Sequence, residues 1–202
     1  MFVLLARQAL EQRPGRVFFD LRFSRAVADE IERLGGIAVR MRVGNPFHKQ
    51  ALHQFDDGLL AAELSGHIMY REHFGIDDPL YAALKLLAYL AHSGQPLSAQ
   101  LQALGRYAGS GELRIHTADP QGLVRRLPAH FGAGRLTEID GITIEFSDWW
   151  FNLRPSNTEP VAKLVIEADS AAALERRTLE VLDALQREGG TVEPPDTSAH
   201  VA

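Results

Sequence analysis

Residues 154–160 read Arg-Pro-Ser-Asn-Thr-Glu-Pro and follow directly on the apolar stretch DWWFNL, residues 148–153. Arg154, Ser156, Asn157 and Thr158 offer a guanidinium, two hydroxyls and an amide at the point where a strand-like run stops. Backbone N–H groups in such a turn can converge as an anion nest. An arginine beside them grips phosphate in a bidentate manner, through charge-assisted bonds roughly twice as strong as neutral ones. An ordinary Ser/Asn/Pro turn with a surface arginine accounts for the same residues, and on residue chemistry alone both readings stay open. In the run that follows, VAKLVIEA, strand alternation puts Lys163 and Val165 on one face and Leu164 and Ile166 on the other, so Lys163 is a further candidate for the anion.

A second group lies in AAELSGHIMY, residues 61–70. Glu63, Ser65 and His67 alternate, and an extended segment points all three to one side. They follow an apolar strand, and ligands of parallel sheets bind beyond the C-terminal ends of strands. A carboxylate, a hydroxyl and an imidazole suit a polyol such as a sugar; a polar strand end facing water is the alternative. A metal site built from Glu63, His67 and His73 lacks the helical histidine spacing of such centres, so no metal ligand is assigned.

The elements that must position these residues fall into two sets. VFFD (17–20), IAVRMRV (37–43) and GLLAAE (58–63) read as strands. Between them lie a helix capped by Ser24, with Val27, Ile31 and Leu34 on one stripe and Gly35-Gly36 at its end, and a shorter helix over PFHKQALHQF. Strand, helix, strand, helix, strand is the order of a parallel sheet with crossovers. Asp78 and Pro79 then open a long helix whose apolar stripe is Leu80, Ala83, Leu84, Leu87 and Ala91, stopped by Gly94. LGRYAGSGE (104–112), with three glycines and a serine, is the expected hinge or boundary. Beyond it come the strand ELRIH, a helix from Asp119-Pro120, a hairpin through Asp140-Gly141, and the strands DWWFNLR and VAKLVIEA. Ser170 caps a last helix with Leu174, Thr178, Val181 and Leu185 on one face. The predicted architecture is a three-layer α/β domain with a parallel-type sheet over residues 1–106. A small α+β domain, an antiparallel sheet with two helices, follows over 107–188. The Gly/Pro-rich stretch 189–202 is an expected disordered tail.

Composition narrows the chemistry. In 202 residues, 46% hydrophobic, there is enough apolar side chain for real cores, and with no cysteine there is no disulfide framework, thiol nucleophile or Cys-based zinc site. A net charge of −5 provides no global basic field for nucleic acid or an anionic membrane, so any anion must be caught by a local pocket. No apolar run approaches the ~18 residues that cross a bilayer. MFVLLARQALEQRPG reads as an amphipathic first helix rather than a signal peptide, because no basic residue precedes its apolar run and no small-residue cleavage site follows. The expected location is cytoplasmic.

Together, AAELSGH and RPSNTEP resemble the sugar-recognition and phosphate-binding loops of the α-D-phosphohexomutases, the bacterial phosphomannomutase/phosphoglucomutase enzymes. FDLRFSRAV, RVGNPFHK and FGIDDPLYAALKLL fit the same family in the right order, and the resemblance runs to about residue 187. It implies the third and fourth of four domains. The first carries a phosphoserine, and the second carries an Asp-x-Asp-x-Asp-Arg loop that binds magnesium. Neither motif occurs here, so the chain is expected to be a piece of a longer protein, with the missing N-terminal domains as its partners and the Mg2+ ligands outside it.

The implied reaction interconverts hexose 1-phosphate and hexose 6-phosphate, of mannose and/or glucose, through a bisphosphate intermediate, with a hexose bisphosphate as activator. By the same resemblance Arg22 and His67 are catalytic, near the reacting phosphoryl. Glu63 and Ser65, with Asn45 and Lys49, bind the sugar; a solvated helix residue is the alternative for Lys49. Arg154, Ser156, Asn157, Thr158 and Lys163 hold the phosphate that is not reacting. Three departures bear on these roles. Arg22 stands where some members have lysine, and its permanent charge makes its role electrostatic. Asn45 stands where some have histidine, with His48 as a nearby substitute. Val165 stands where some have arginine, with Lys163 as the substitute. The chain alone is expected to bind sugar phosphate without turnover; a structural module that keeps the fold but not the site is the alternative.

Overall fold

The computed structural model describes residues 1–102, 104–156 and 158–193. Asn157 and residues 194–202 of the expected tail lie outside the described residues. The chain divides into two compact units at Tyr107/Ala108, within the glycine-rich stretch read as a boundary.

In chain order the first unit comprises α1 (Phe2–Gln12), β1 (Arg16–Asp20), α2 (Arg25–Arg33), β2 (Ile37–Met41), α3 (Asn45–Gln54), β3 (Gly58–Ala62), β4 (Ile68–Tyr70), α4 (Pro79–Ser93) and α5 (Leu97–Gln102). Its sheet has the order β2-β1-β3-β4, with β1 parallel to both neighbours and β4 antiparallel to β3. β1, β3 and β4 are apolar on both faces because helices cover both, while the edge strand β2 carries Arg40 and is only partly buried. Val17, Phe19, Leu60, Ala62, Ile68 and Tyr70 pack on α1, α2 and α4, whereas Phe18, Ala61 and Met69 pack on Ala51 and Leu52 of α3. Helix starts follow local chemistry: the Ser24 hydroxyl accepts the Ala26 N–H at 3.1 Å, and Asp78 accepts those of Leu80 and Tyr81 at 3.0 and 3.1 Å.

Two expectations for this unit are corrected. Leu80, Leu84 and Leu87 of α4 are 68%, 57% and 62% exposed, and Ala83 and Ala91 are exposed with them. The helix instead turns Ala82 and Tyr89 inward, with Leu86 half-buried. It is apolar on two stripes, and only one of them can face α1 and the sheet. The second correction concerns residues 63–67, which are not extended. They form the tight connection between β3 and β4: the Glu63 N–H donates to the His67 carbonyl and the Gly66 N–H to the Glu63 carbonyl, each at 2.9 Å, with Gly66 at φ +101°. Alternation therefore does not set the directions of Glu63, Ser65 and His67.

The second unit comprises β5 (Ala108–His116), α6 (Pro120–Arg126), β6 (Arg135–Thr137), β7 (Ile142–Glu145), β8 (Trp149–Pro155), β9 (Val161–Ala168), α7 (Ala171–Arg187) and β10 (Thr191–Val192). The sheet is antiparallel throughout, in the order β10-β5-β9-β8-β7-β6. One face, with Ile115, Phe151, Leu153, Leu164 and Ile166, packs on Leu123 and Val124 of α6 and on Val181, Ala184 and Leu185 of α7. The start of the expected tail is ordered. After the turn at Gly189, Thr191 and Val192 pair with His116 and Ile115 on the edge of β5. A two-residue strand carries no periodicity, and only its docking on an edge reveals it.

Candidate functional site

In the first unit the chemistry collects at the β3–β4 connection, held by two carboxylates that residue types alone did not single out. Asp20, the last residue of β1, is fully buried. Its Oδ1 accepts the Arg22 N–H and Nε–H at 2.9 and 3.0 Å, and its Oδ2 accepts Arg22 Nη2–H and the Leu64 N–H, both at 2.7 Å. One buried charge thus fixes the Arg22 guanidinium and the 63–67 turn relative to each other. Asp77 plays the corresponding part on the other side: its Oδ2 faces His67 Nδ1 at 2.5 Å and accepts Asn45 Nδ2–H at 3.3 Å, while its Oδ1 accepts the Ile68 N–H at 3.3 Å.

Glu63 is itself buried, and its Oε1 accepts the Gly44 N–H at 2.9 Å. A carboxylate at the start of α3 takes up one of that helix's open N–H groups and is favoured by its dipole. Gly44, at φ +137°, adopts a backbone that suits glycine. Glu63 therefore anchors the RVGN segment as well as bordering the turn. Ser65 is exposed on the turn, and the His67 side chain is about half exposed. The structure thus joins Arg22, Asn45, Glu63 and His67 to one hydrogen-bonded turn. Lys49 lies farther along α3, exposed, and among the described residues no hydrogen bond joins it to this group. His48 does not substitute for a histidine at position 45: it is fully buried beside α3's core contacts, with Nδ1 at 3.1 Å from the Gly44 carbonyl.

In the second unit Arg154 sits at the end of β8, its side chain only 5% exposed. Register aligns it with Lys163 on β9, and Lys163 with Arg114 on β5, so three cations form one row across three strands. Glu112 lies between the first two, 3.1 Å from Arg154 Nη2 and 3.0 Å from Lys163 Nζ. Glu159 and Glu193 pair with Arg114 at 2.8 and 2.6 Å. A guanidinium this buried needs a nearby anion, and Glu112 provides one. Next to this row the turn begins: the Ser156 N–H donates to the Val161 carbonyl at 2.8 Å, and the Thr158 N–H to Ser156 Oγ at 3.4 Å. Asn152 ties the β7–β8 hairpin just before Arg154, its Nδ2 donating to the Asp140 and Ile142 carbonyls at 3.1 and 2.9 Å.

Sequence reading missed Asp20, Asp77, Glu112 and Arg114. Arg114 had a usable signal, since ELRIH alternates as a strand and places it outward; its alignment with Lys163 and Arg154 required the strand pairing. Among the described residues no group of three or more His, Asp or Glu side chains is arranged to hold a metal ion. No helix of the described residues is long and apolar enough to cross a membrane.

Comparison with known proteins places both units in one class, the sugar-phosphate mutases. The family model for phosphoglucomutase/phosphomannomutase alpha/beta/alpha domain III matches residues 1–107, and the model for the C-terminal domain of the same family matches residues 112–184. The chain belongs to this phosphoglucomutase/phosphomannomutase family, the α-D-phosphohexomutases. It is 34% identical over 179 residues to a phosphomannomutase of Methanocaldococcus jannaschii, covering 88% of this chain and 40% of that protein. It is 38% identical over 184 residues to a phosphoglucomutase of Neisseria meningitidis, covering 86% of this chain and 39% of that one. Its fold matches the crystal structure of a phosphoglucomutase/phosphomannomutase family protein from Burkholderia thailandensis with a TM-score of 0.83 at 31% identity, covering 94% of this chain and 42% of that one. The chain thus spans about two-fifths of the length of the curated relatives it matches.

Proposed function

We propose that this chain is the sugar- and phosphate-binding part of a phosphohexomutase that interconverts hexose 1-phosphate and hexose 6-phosphate, of mannose and/or glucose, through a bisphosphate. The observation that carries this reading is the nearly buried Arg154 beside Lys163 and the RPSNTEP turn. Glu112 already holds both cations in place, so their remaining N–H groups can meet a phosphate's oxygens at a reduced ordering cost. In this reading Arg154, Ser156, Asn157, Thr158 and Lys163 hold the phosphate that is not reacting. Ser65 and Glu63, with Asn45 and Lys49, meet the sugar. Arg22, kept permanently charged, stabilises negative charge on the transferring phosphoryl, and His67 handles the hydroxyl proton. Magnesium and the phosphoserine belong to N-terminal domains that this chain does not contain, so the chain alone binds but does not turn over.

The test is calorimetric titration and thermal denaturation of the chain with mannose 6-phosphate, glucose 6-phosphate and the unphosphorylated hexoses. A bound hexose phosphate at about 100 times its Kd should add roughly 2.7 kcal/mol of stability. Arg154→Met should remove that gain, and the free hexoses should give none. A wild-type chain indifferent to both phosphates would favour a structural module that kept the fold and lost the site. Adding the N-terminal domains of a relative, with magnesium and a hexose bisphosphate, should restore mutase activity.

A further inference from the structure

Asp77 is the acidic residue that touches His67, and its surroundings fix how it does so. Its backbone forms an antiparallel bridge to Met69 in β4, and the next residue, Asp78, caps α4. The carboxylate is therefore carried between two rigid elements. Asn45 Nδ2 and the Ile68 N–H occupy further acceptor positions on it, at 3.3 Å each, and so orient it. An ionised carboxylate only accepts hydrogen bonds. Against an ionised Asp77, the 2.5 Å contact between its Oδ2 and His67 Nδ1 is a hydrogen bond only with the proton on Nδ1. Which ring nitrogen of a histidine is basic is set by the bond that the other one makes.

We propose that Asp77 is a positioning residue for His67: it holds the neutral ring with its proton on Nδ1, so that Nε2 presents the free lone pair to a hexose hydroxyl. What Nε2 acts on rests on the function proposed above. There, the sugar O–H bond breaks as its oxygen bonds to the phosphorus of the phosphoserine, and the proton passes to Nε2. The phosphorus–oxygen bond to the serine breaks, and the serine oxygen leaves with the electron pair. Asp77 then faces the imidazolium that results, and its negative charge offsets the new positive one. Return of the proton from Nε2 serves the reverse half-reaction.

Long-range 1H–15N correlation of the histidine rings in the ligand-free chain tests this, with the His67 signal assigned by its absence in His67→Gln. At mildly alkaline pH, where imidazole is normally neutral, His67 should show its proton on Nδ1 and none on Nε2. Asp77→Asn keeps a group able to bond the Ile68 N–H but removes the charge, and should shift the proton toward Nε2. A wild-type ring protonated on Nε2, or a proton position unmoved by Asp77→Asn, overturns the proposal; the wild-type measurement decides even where the variant does not fold. Glucose 6-phosphate or mannose 6-phosphate should then shift the Nε2 resonance. An Nδ1–H ring that neither sugar phosphate perturbs refutes the functional reading and leaves the role of Asp77 standing. The opposite tautomer with normal binding does the reverse.

Discussion

Replacing Asp20 by asparagine should unsettle the first unit and the turn it holds. The side chain keeps its size, but one oxygen becomes an NH2 group. If that group takes the Oδ1 position it faces the Arg22 N–H and Nε–H; at Oδ2 it faces Arg22 Nη2 and the Leu64 N–H. In either orientation two donors meet a donor, and the Arg22 guanidinium, 10% exposed, loses its buried counter-charge. Hydrogen bonds to charged groups are worth about 1.5–3 kcal/mol each, so two lost bonds cost about 3–6 kcal/mol. Removing one member of a buried ion pair independently suggests about 3–5 kcal/mol. A domain this size holds only about 5–15 kcal/mol, so the loss is a large share of it. Both tryptophans lie in the second unit, so amide hydrogen exchange in β1, followed with urea, is the appropriate reading for the first. Arg22→Met should cost less in the Asp20→Asn background than alone, with a coupling of at least about 1 kcal/mol. A loss below about 1 kcal/mol, or additive effects of the two substitutions, would refute the account of Asp20 as the hub of this site.

Two further outcomes follow from the same reasoning. Gly141, at φ +65°, turns the β7 hairpin against the backbone of β8, and a Cβ there would lie 2.6 Å from Arg154 Cα. Gly141→Ala should cost about 1–2 kcal/mol for the left-handed backbone alone, and more for the collision; Trp149 and Trp150 fluorescence in urea reads it, and unchanged stability would contradict it. Glu30 is held at about 2, below its ordinary 4.5, by hydrogen bonding from Arg33, with Arg7 adding to the effect against the opposing cost of burial. A depressed folded-state value stabilises above the unfolded value, so this contribution is whole above pH 4.5 and fades as pH falls toward 2. At about 1.4 kcal/mol per unit the shift corresponds to about 3 kcal/mol, which solvent screening at the exposed Arg33 cuts to about 1–2 kcal/mol. Glu30→Gln should lower stability near neutral pH and flatten the acid limb of a pH–stability curve measured by urea denaturation; an acid limb as steep as the wild type's would argue against this.

The helix caps at Ser24, Asp78 and Ser170, the hairpin at Asp140-Gly141 and the apolar strands were legible because each depends on a few adjacent residues. A hydroxyl or carboxylate next to an open helix end, or a glycine in a left-handed turn, has the same energetics in any fold. The three-layer order of the first unit was legible too, since strands that alternate with helices pair in parallel and leave the helices to cover the sheet. The directions of Glu63, Ser65 and His67 were not. Alternation holds only while the chain stays extended, and Gly66 turns it back to build β4. The inward face of α4 was equally hidden: two apolar stripes satisfy the same periodicity, and the choice between them belongs to α1 and the sheet.

What the sequence alone determined is the inventory and its local settings: two domains' worth of elements, an arginine at the end of β8 ahead of a polar turn, and a second polar turn after β3. Tertiary structure decided which partners the charged groups meet. Asp20 finds the Leu64 N–H across 44 positions of chain, Arg154 finds Glu112 across 42, and Asp77 reaches Asn45 across 32. Such pairs are selected by strand register and by the exclusion of water, which makes an unpaired buried charge too costly to leave, and neither condition exists until the sheets have formed.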